Sequence, residues 1–188
     1  MRALGVFTVG AAMAAAGPGP GTPSAAGAKR GVLYTVGTGN GPLRLLMEAL
    51  KRNGVRVVVD IRSKPYGWNP DFNRGALREA LAKERIGYEY LGGSLGGFVE
   101  GGFERHRGTA AYRAGLDALE KIAERGGAAI LCAEGDPLKC HRLAVGADME
   151  GRGWKALHIL QDGSACATAD LPRARNANGG RKPRVDRP

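Results

Sequence analysis

Residues 132–142 read CAEGDPLKCHR and hold two of the chain's three cysteines, one of its three histidines, two carboxylates and two basic groups. Pro137 lacks an N–H and suits the first position of a helix. A helix starting near Leu138 places Cys140 in its first turn, where free amides and the helix field favour a thiolate. Cys140 then reads as a nucleophile or redox thiol, the competing reading being a residue packed under the helix. His141 moves protons near neutral pH. Glu134 orients a neighbour or acts as a general base. Arg142 offers a planar fork to a phosphate or carboxylate. Cys132 reads as a buried strand residue. The spacing is not that of a two-cysteine redox motif with two intervening residues. Nor is it a cysteine-phosphatase loop, because Leu138 stands where that loop needs arginine.

The ligand types for a metal are present, but neighbouring helical residues diverge by about 100°. A zinc ion shared by Cys140 and His141 is therefore not expected. The pattern demands no cofactor. If the substrate carries phosphate, magnesium or manganese on Glu134, His141 and Asp60 is the metal option.

Three further groups carry polar chemistry. In VRVVVDIRS, 55–63, an apolar run ends in Asp60, Arg62 and Ser63. Side chains alternate along a strand, so Asp60 and Arg62 share a face. They position a substrate, or satisfy each other as a buried ion pair. TVGTGNG, 35–41, supplies Thr38 and Asn40 on a glycine-rich turn suited to an anion, without the full dinucleotide or triphosphate pattern. Tyr66 and Trp68 in PYGWNP stand beside Arg62 and Lys64 and are offered as stacking contacts for a base, or as a hydrophobic lid.

The elements that must position these groups alternate. Strands are predicted at 31–37, 55–63, 86–93, 128–134 and within 154–163, and helices at 43–54, 74–86, 109–127 and from about 140 to 151. Residues 94–108 read as irregular. Alternation with short links predicts an α/β fold, a single-domain open and mainly parallel sheet with helices on both faces. Its layering is Rossmann-like without a dinucleotide fingerprint. Ligands of such sheets sit outside the carboxyl ends of the strands. That edge receives Thr38, Asn40, Asp60, Arg62, Ser63, Glu134, Cys140, His141 and Arg142, and the last strand carries His158.

The length of 188 residues allows one domain with a substantial core. The formal charge of +10 is uneven: beyond Leu171 six basic residues face one acid. We read 172–188 as a disordered basic tail, 31–171 as the domain, and 1–30 as a dispensable leader or over-called start. Basic groups and tail point to a nucleic acid or nucleotide as a partner. The apolar run near the start is too short for a dependable membrane span. Three cysteines close no disulfide framework, so the expected location is cytoplasmic, with reduced thiols. The leading function from these residues is an enzyme acting on a phosphate-containing or nucleic-acid substrate. The alternatives are a thiol-dependent group-transfer or redox enzyme centred on Cys140, and a nucleic-acid-binding module. Nothing in the residues sets the oligomeric state.

YTVGTGN at 34–40, VVVDIRSKPYGWNPDFN at 57–73, GYEYLGGSLGG at 87–97, ILCAEGDPLKCHR at 130–142 and HIL at 158–160 together resemble the domain-of-unknown-function family DUF488. The resemblance covers about residues 32–162. It implies an α/β domain in which Asp60, Arg62, Ser63, Gly92, Gly93, Cys132, Glu134, Cys140, His141 and Arg142 occupy characteristic positions. It supplies no reaction.

Overall fold

The computed structural model describes residues 30–171. The expected leader (apart from Arg30) and basic tail lie outside the described residues. The strands are β1 (Gly31–Gly37), β2 (Val57–Asp60), β3 (Gly87–Tyr90), β4 (Ala128–Cys132), β5 (Trp154–Ile159) and β6 (Ala165–Ala167). The helices are α1 (Leu43–Arg52), α2 (Arg74–Lys83), α3 (Gly92–Leu95), α4 (Phe103–Arg107), α5 (Ala110–Ala123) and α6 (Arg142–Glu150). The strands form one sheet in the order β3-β2-β4-β1-β5-β6. Five run parallel, and β6 pairs antiparallel with β5. The sheet is mainly parallel, as expected, and mixed by virtue of that one antiparallel edge strand.

Local chemistry explains the elements. β4 is the run AAILC, buried at every position, as a central strand covered on both faces must be. Its side chains alternate between two cores. Ala128 and Ile130 pack with Leu116 and Leu119 of α5 and Val145 and Met149 of α6. Ala129 and Leu131 pack with Leu46 and Leu50 of α1 and Leu77 and Leu81 of α2. Helices thus flank both faces. Thr109 caps α5 by accepting from the Tyr112 N–H.

Two differences from the expected path bear on the site. Residues 94–108, expected as irregular, contain the end of α3 and all of α4. The second concerns the start of α6. Asp136 accepts from the Leu138 N–H and Pro137 opens a three-residue 3₁₀ turn, Pro137–Lys139. The chain then straightens at Cys140 (φ −129, ψ 139), and the helix begins only at Arg142. Cys140 is not in a first helical turn but on an extended residue just ahead of it.

A candidate thiol–imidazole site at the carboxyl edge

β4 lies between β2 and β1, and the carboxyl ends of all three face one edge. The Thr38 N–H donates to the Cys132 carbonyl, and the Ile61 N–H to that of Leu131. The helices leaving β1 and β4 cover opposite faces, so the crevice of this sheet opens between those two strands. Arg142 fills it. The arginine is fully buried, and its Nη1 and Nη2 donate to the carbonyls of Glu134 and Gly135, the latter at 2.9 Å. Its Nε has no partner.

The polar residues expected at one site divide into two clusters on opposite faces. Asp60 continues the alternation that puts Val58 on the α1–α2 side. There its carboxylate accepts from Arg62 Nε at 2.9 Å and Nη2 at 2.6 Å, and from the Tyr88 hydroxyl at 2.8 Å. Arg62 Nη1 donates to the Phe72 carbonyl at 2.9 Å. The fork is spent on internal acceptors, and both charges are buried. Burial would ease the proton off Arg62, but the bonds to Asp60 outweigh it and hold the guanidinium charged. Burial, then the charge of Asp60, pushes the Tyr88 phenol up. The cluster has the form of a closed ion pair.

The second cluster lies on the α5–α6 side, where Cys132 follows Ala128 and Ile130 in the alternation. Because Cys140 is extended and His141 opens the helix, the chain folds back on Cys132. His141 Nδ1 sits 3.6 Å from the Cys132 sulfur and 3.9 Å from that of Cys140. The three atoms all lie within 4.8 Å of one another. The expected divergence of Cys140 and His141 is thereby corrected: the 3₁₀ turn breaks the helical spacing on which it depended.

The ring of His141 is held from three sides. Its Nε2 stands 3.3 Å from the Ile61 carbonyl, which can only accept, so Nε2 carries the proton and Nδ1 presents a lone pair to the sulfurs. Phe103 meets the ring edge-on at 5.2 Å. Gly97 lies against it: a β-carbon there would come 2.7 Å from Nδ1. Phe103 is anchored in turn, because Arg107 of α4 and Tyr112 of α5 both bond to Asp148 of α6, at 2.6 Å in their shortest contacts.

The two thiols are unequal. Cys132 is buried and Cys140 half-buried. The Cys140 thiol is pulled below its ordinary value, first by its pairing with Cys132; the charge of Arg142 and its backbone N–H add to this, against the effect of burial. The same pairing, with burial, pushes Cys132 up. Cys140 is thus the more acidic thiol of the pair. The sulfur at the start of α6 also meets the positive end of that helix.

The remaining expected residues bond elsewhere or stand exposed. Thr38 is buried and donates to the Ala133 carbonyl at 3.1 Å, while Asn40 is exposed. Ser63 accepts from the Phe98 N–H at 2.9 Å, tying the β2 loop to the loop carrying Gly97. Glu134 is exposed and accepts from the Asp136 N–H at 3.2 Å. Tyr66 and Trp68 are exposed, as is Phe98, next in the chain to Gly97. Sequence reasoning gave Cys132 as a buried strand residue and not as part of the site, and left out Phe103. The available signal was the Asp136–Pro137 pair, which starts a turn able to return the chain to the end of β4.

Over residues 42–147 the chain matches the family model described as Domain of unknown function DUF488. The chain belongs to this family. The span is more than half of the chain and contains both polar clusters. No curated protein and no solved structure matches the chain. The donor set of the DUF488 domain's second cluster, two sulfurs and one imidazole nitrogen, allows two uses: thiol chemistry, or coordination of a metal.

Proposed function

We propose that this DUF488 protein is a thiol-dependent redox enzyme of the thiol–disulfide exchange class, with Cys140 as the attacking thiolate and Cys132 as the resolving thiol. The observation that carries the reading is the convergence of both sulfurs on one imidazole lone pair, with the half-buried Cys140 just ahead of a helix. Cys140 attacks one sulfur of a disulfide R–S–S–R′, forming Cys140–S–S–R and expelling R′S⁻. The Cys132 thiol then gives its proton to His141 Nδ1 while its sulfur attacks that of Cys140 and expels RS⁻. The substrate gains two electrons and the protein becomes the Cys132–Cys140 disulfide. A low-molecular-weight thiol returns it to the reduced form by the reverse exchange.

A phosphate or nucleic-acid substrate, the reading favoured by the charge pattern, finds less support. Arg62 would have to leave Asp60, and Arg142 two carbonyls, before either could take an anion.

The test uses the reduced full chain and an aromatic disulfide. Wild type should release two equivalents of aryl thiol and keep no adduct. Cys132→Ser should release one and retain an aryl group on Cys140, and Cys140→Ser should neither carry the adduct there nor form the internal disulfide. Labelling confined to Cys166, with Cys140 inert, would refute the proposal.

A further inference from the structure

The arrangement of the two sulfurs about His141 asks for more than hydrogen bonds. Nδ1 has a single lone pair, and with one proton between the two sulfurs at most one of them can donate to it. Yet both sulfurs approach it, at 3.6 and 3.9 Å. One ion at the centre of the three donors would satisfy them together.

The dimensions agree with a particular ion. Zinc–sulfur bonds of about 2.3 Å and zinc–nitrogen bonds of about 2.0–2.1 Å at tetrahedral angles put sulfur and nitrogen about 3.6 Å apart and the two sulfurs about 3.8 Å apart. Of the observed sulfur–nitrogen distances, 3.6 Å equals the first value and 3.9 Å slightly exceeds it, and all three donor atoms lie within 4.8 Å. The ring already has the orientation a ligand needs, since metal-binding histidines usually give their other N–H to a carbonyl or carboxylate, here that of Ile61. Two thiolates and an imidazole suit zinc and exclude a preference for magnesium or manganese, which take oxygen.

We propose that Cys132 Sγ, Cys140 Sγ and His141 Nδ1 form a zinc site with one open tetrahedral corner, and that zinc held there masks the Cys140 nucleophile. Binding releases the Cys132 proton to solvent and changes no oxidation state. The site stands on the geometry alone, whereas the masking rests on the thiol reading above.

The experiment titrates the reduced, metal-free full chain with Co²⁺ under anaerobic conditions, then with Zn²⁺. One equivalent of Co²⁺ should produce a near-ultraviolet thiolate-to-cobalt band and the visible bands of a tetrahedral ion, and Zn²⁺ should abolish both. Cys140→Ser should lower the near-ultraviolet band by about half, one of two thiolates being lost. His141→Asn should change the visible bands, and Cys166→Ser should leave the spectrum as it was. The folded wild type is itself decisive: no tetrahedral spectrum, or one untouched by Cys140→Ser and His141→Asn, overturns the site. One equivalent of Zn²⁺ should slow iodoacetamide alkylation of Cys140 by at least about tenfold, because a metal-bound thiolate is no longer a free nucleophile. An unchanged rate overturns the masking. Fast alkylation without metal binding removes the zinc site and leaves the thiol enzyme. Metal binding by a protein whose metal-free Cys140 stays unalkylated supports the site and removes the enzyme.

Discussion

Mild acid should destabilise this protein through His158, a residue away from the two sulfurs. The ring is fully buried in β5 and hydrogen-bonded at both nitrogens. Thr35 Oγ1 lies 2.9 Å from Nδ1, and Thr168 Oγ1 lies 3.0 Å from Nε2. The Thr168 hydroxyl donates to Glu150 at 3.3 Å, so it accepts from Nε2–H, and Thr35 donates to Nδ1. The network fits a neutral imidazole. Burial, then the nearby charge of Arg142, holds His158 down to about 4 from its ordinary 6.5. Glu150, the other facing charge, reaches the ring only through Thr168. Between those two pH values the unfolded chain binds the proton and the folded one does not, so stability rises with pH across the window. The contribution is complete above the higher value and gone below the lower one. At about 1.4 kcal/mol per unit, the window spans about 3 kcal/mol, of which about 2 kcal/mol is lost on going from about pH 8 to about pH 5. Urea unfolding of wild type and His158→Gln at these two pH values checks it. The variant lacks the titration, so its stability should fall by about 2 kcal/mol less than that of wild type over the same interval. Equal pH dependence in the two proteins would refute the reasoning.

Removing Asp60 by Asp60→Ala leaves Arg62 charged and buried, and should cost about 3–5 kcal/mol in urea unfolding. Tyr88→Phe deletes one hydrogen bond to the same carboxylate and should cost about 1.5 kcal/mol by the same measurement. Gly97→Ala drives a β-carbon toward His141 Nδ1, so it should lower the alkylation rate of Cys140 while costing about 1–3 kcal/mol of stability. Burial alone would raise the Asp148 carboxyl, but bonds from Arg107 and Tyr112 outweigh it and hold the carboxyl below its ordinary value. Its contribution is therefore present above the unfolded value of 3.8 and lost as pH falls below it, and Asp148→Asn should flatten the acid limb of the unfolding curve.

Much of the scaffold is legible residue by residue. The run AAILC declares a strand covered on both sides, and the GVLYTVG and VRVVVD stretches become β1 and β2. Alternation puts Asp60 and Arg62 on one face, where they pair. The limits are equally specific. β6 is only Ala165–Ala167, too short to show a period. The fork of Arg62 ends on the carbonyl of Phe72 and that of Arg142 on those of Glu134 and Gly135, acceptors that every residue carries and no side-chain pattern reveals. The meeting of Cys132, Cys140 and His141 depends on one short turn at Pro137. Read as a continuous helix, the same residues point apart. The polar groups were legible as chemistry, and their division into two clusters appears only once the sheet gives each a face.

The most direct test of the account is the pH profile of Cys140 alkylation, followed residue by residue by mass spectrometry on the reduced, metal-free full chain. A thiol of low pKa is an intrinsically weaker nucleophile, so the shape of the profile is more telling than the absolute rate. Cys166 is pushed up by burial and by Asp170 and Asp162, and its rate should climb about tenfold per pH unit between about pH 6 and about pH 8. Cys140, held below its ordinary value by the cluster, should react at a nearly constant rate over that interval. A Cys140 profile rising in parallel with that of Cys166 would contradict the central claim that the Cys132–Cys140–His141 cluster holds a preformed nucleophile.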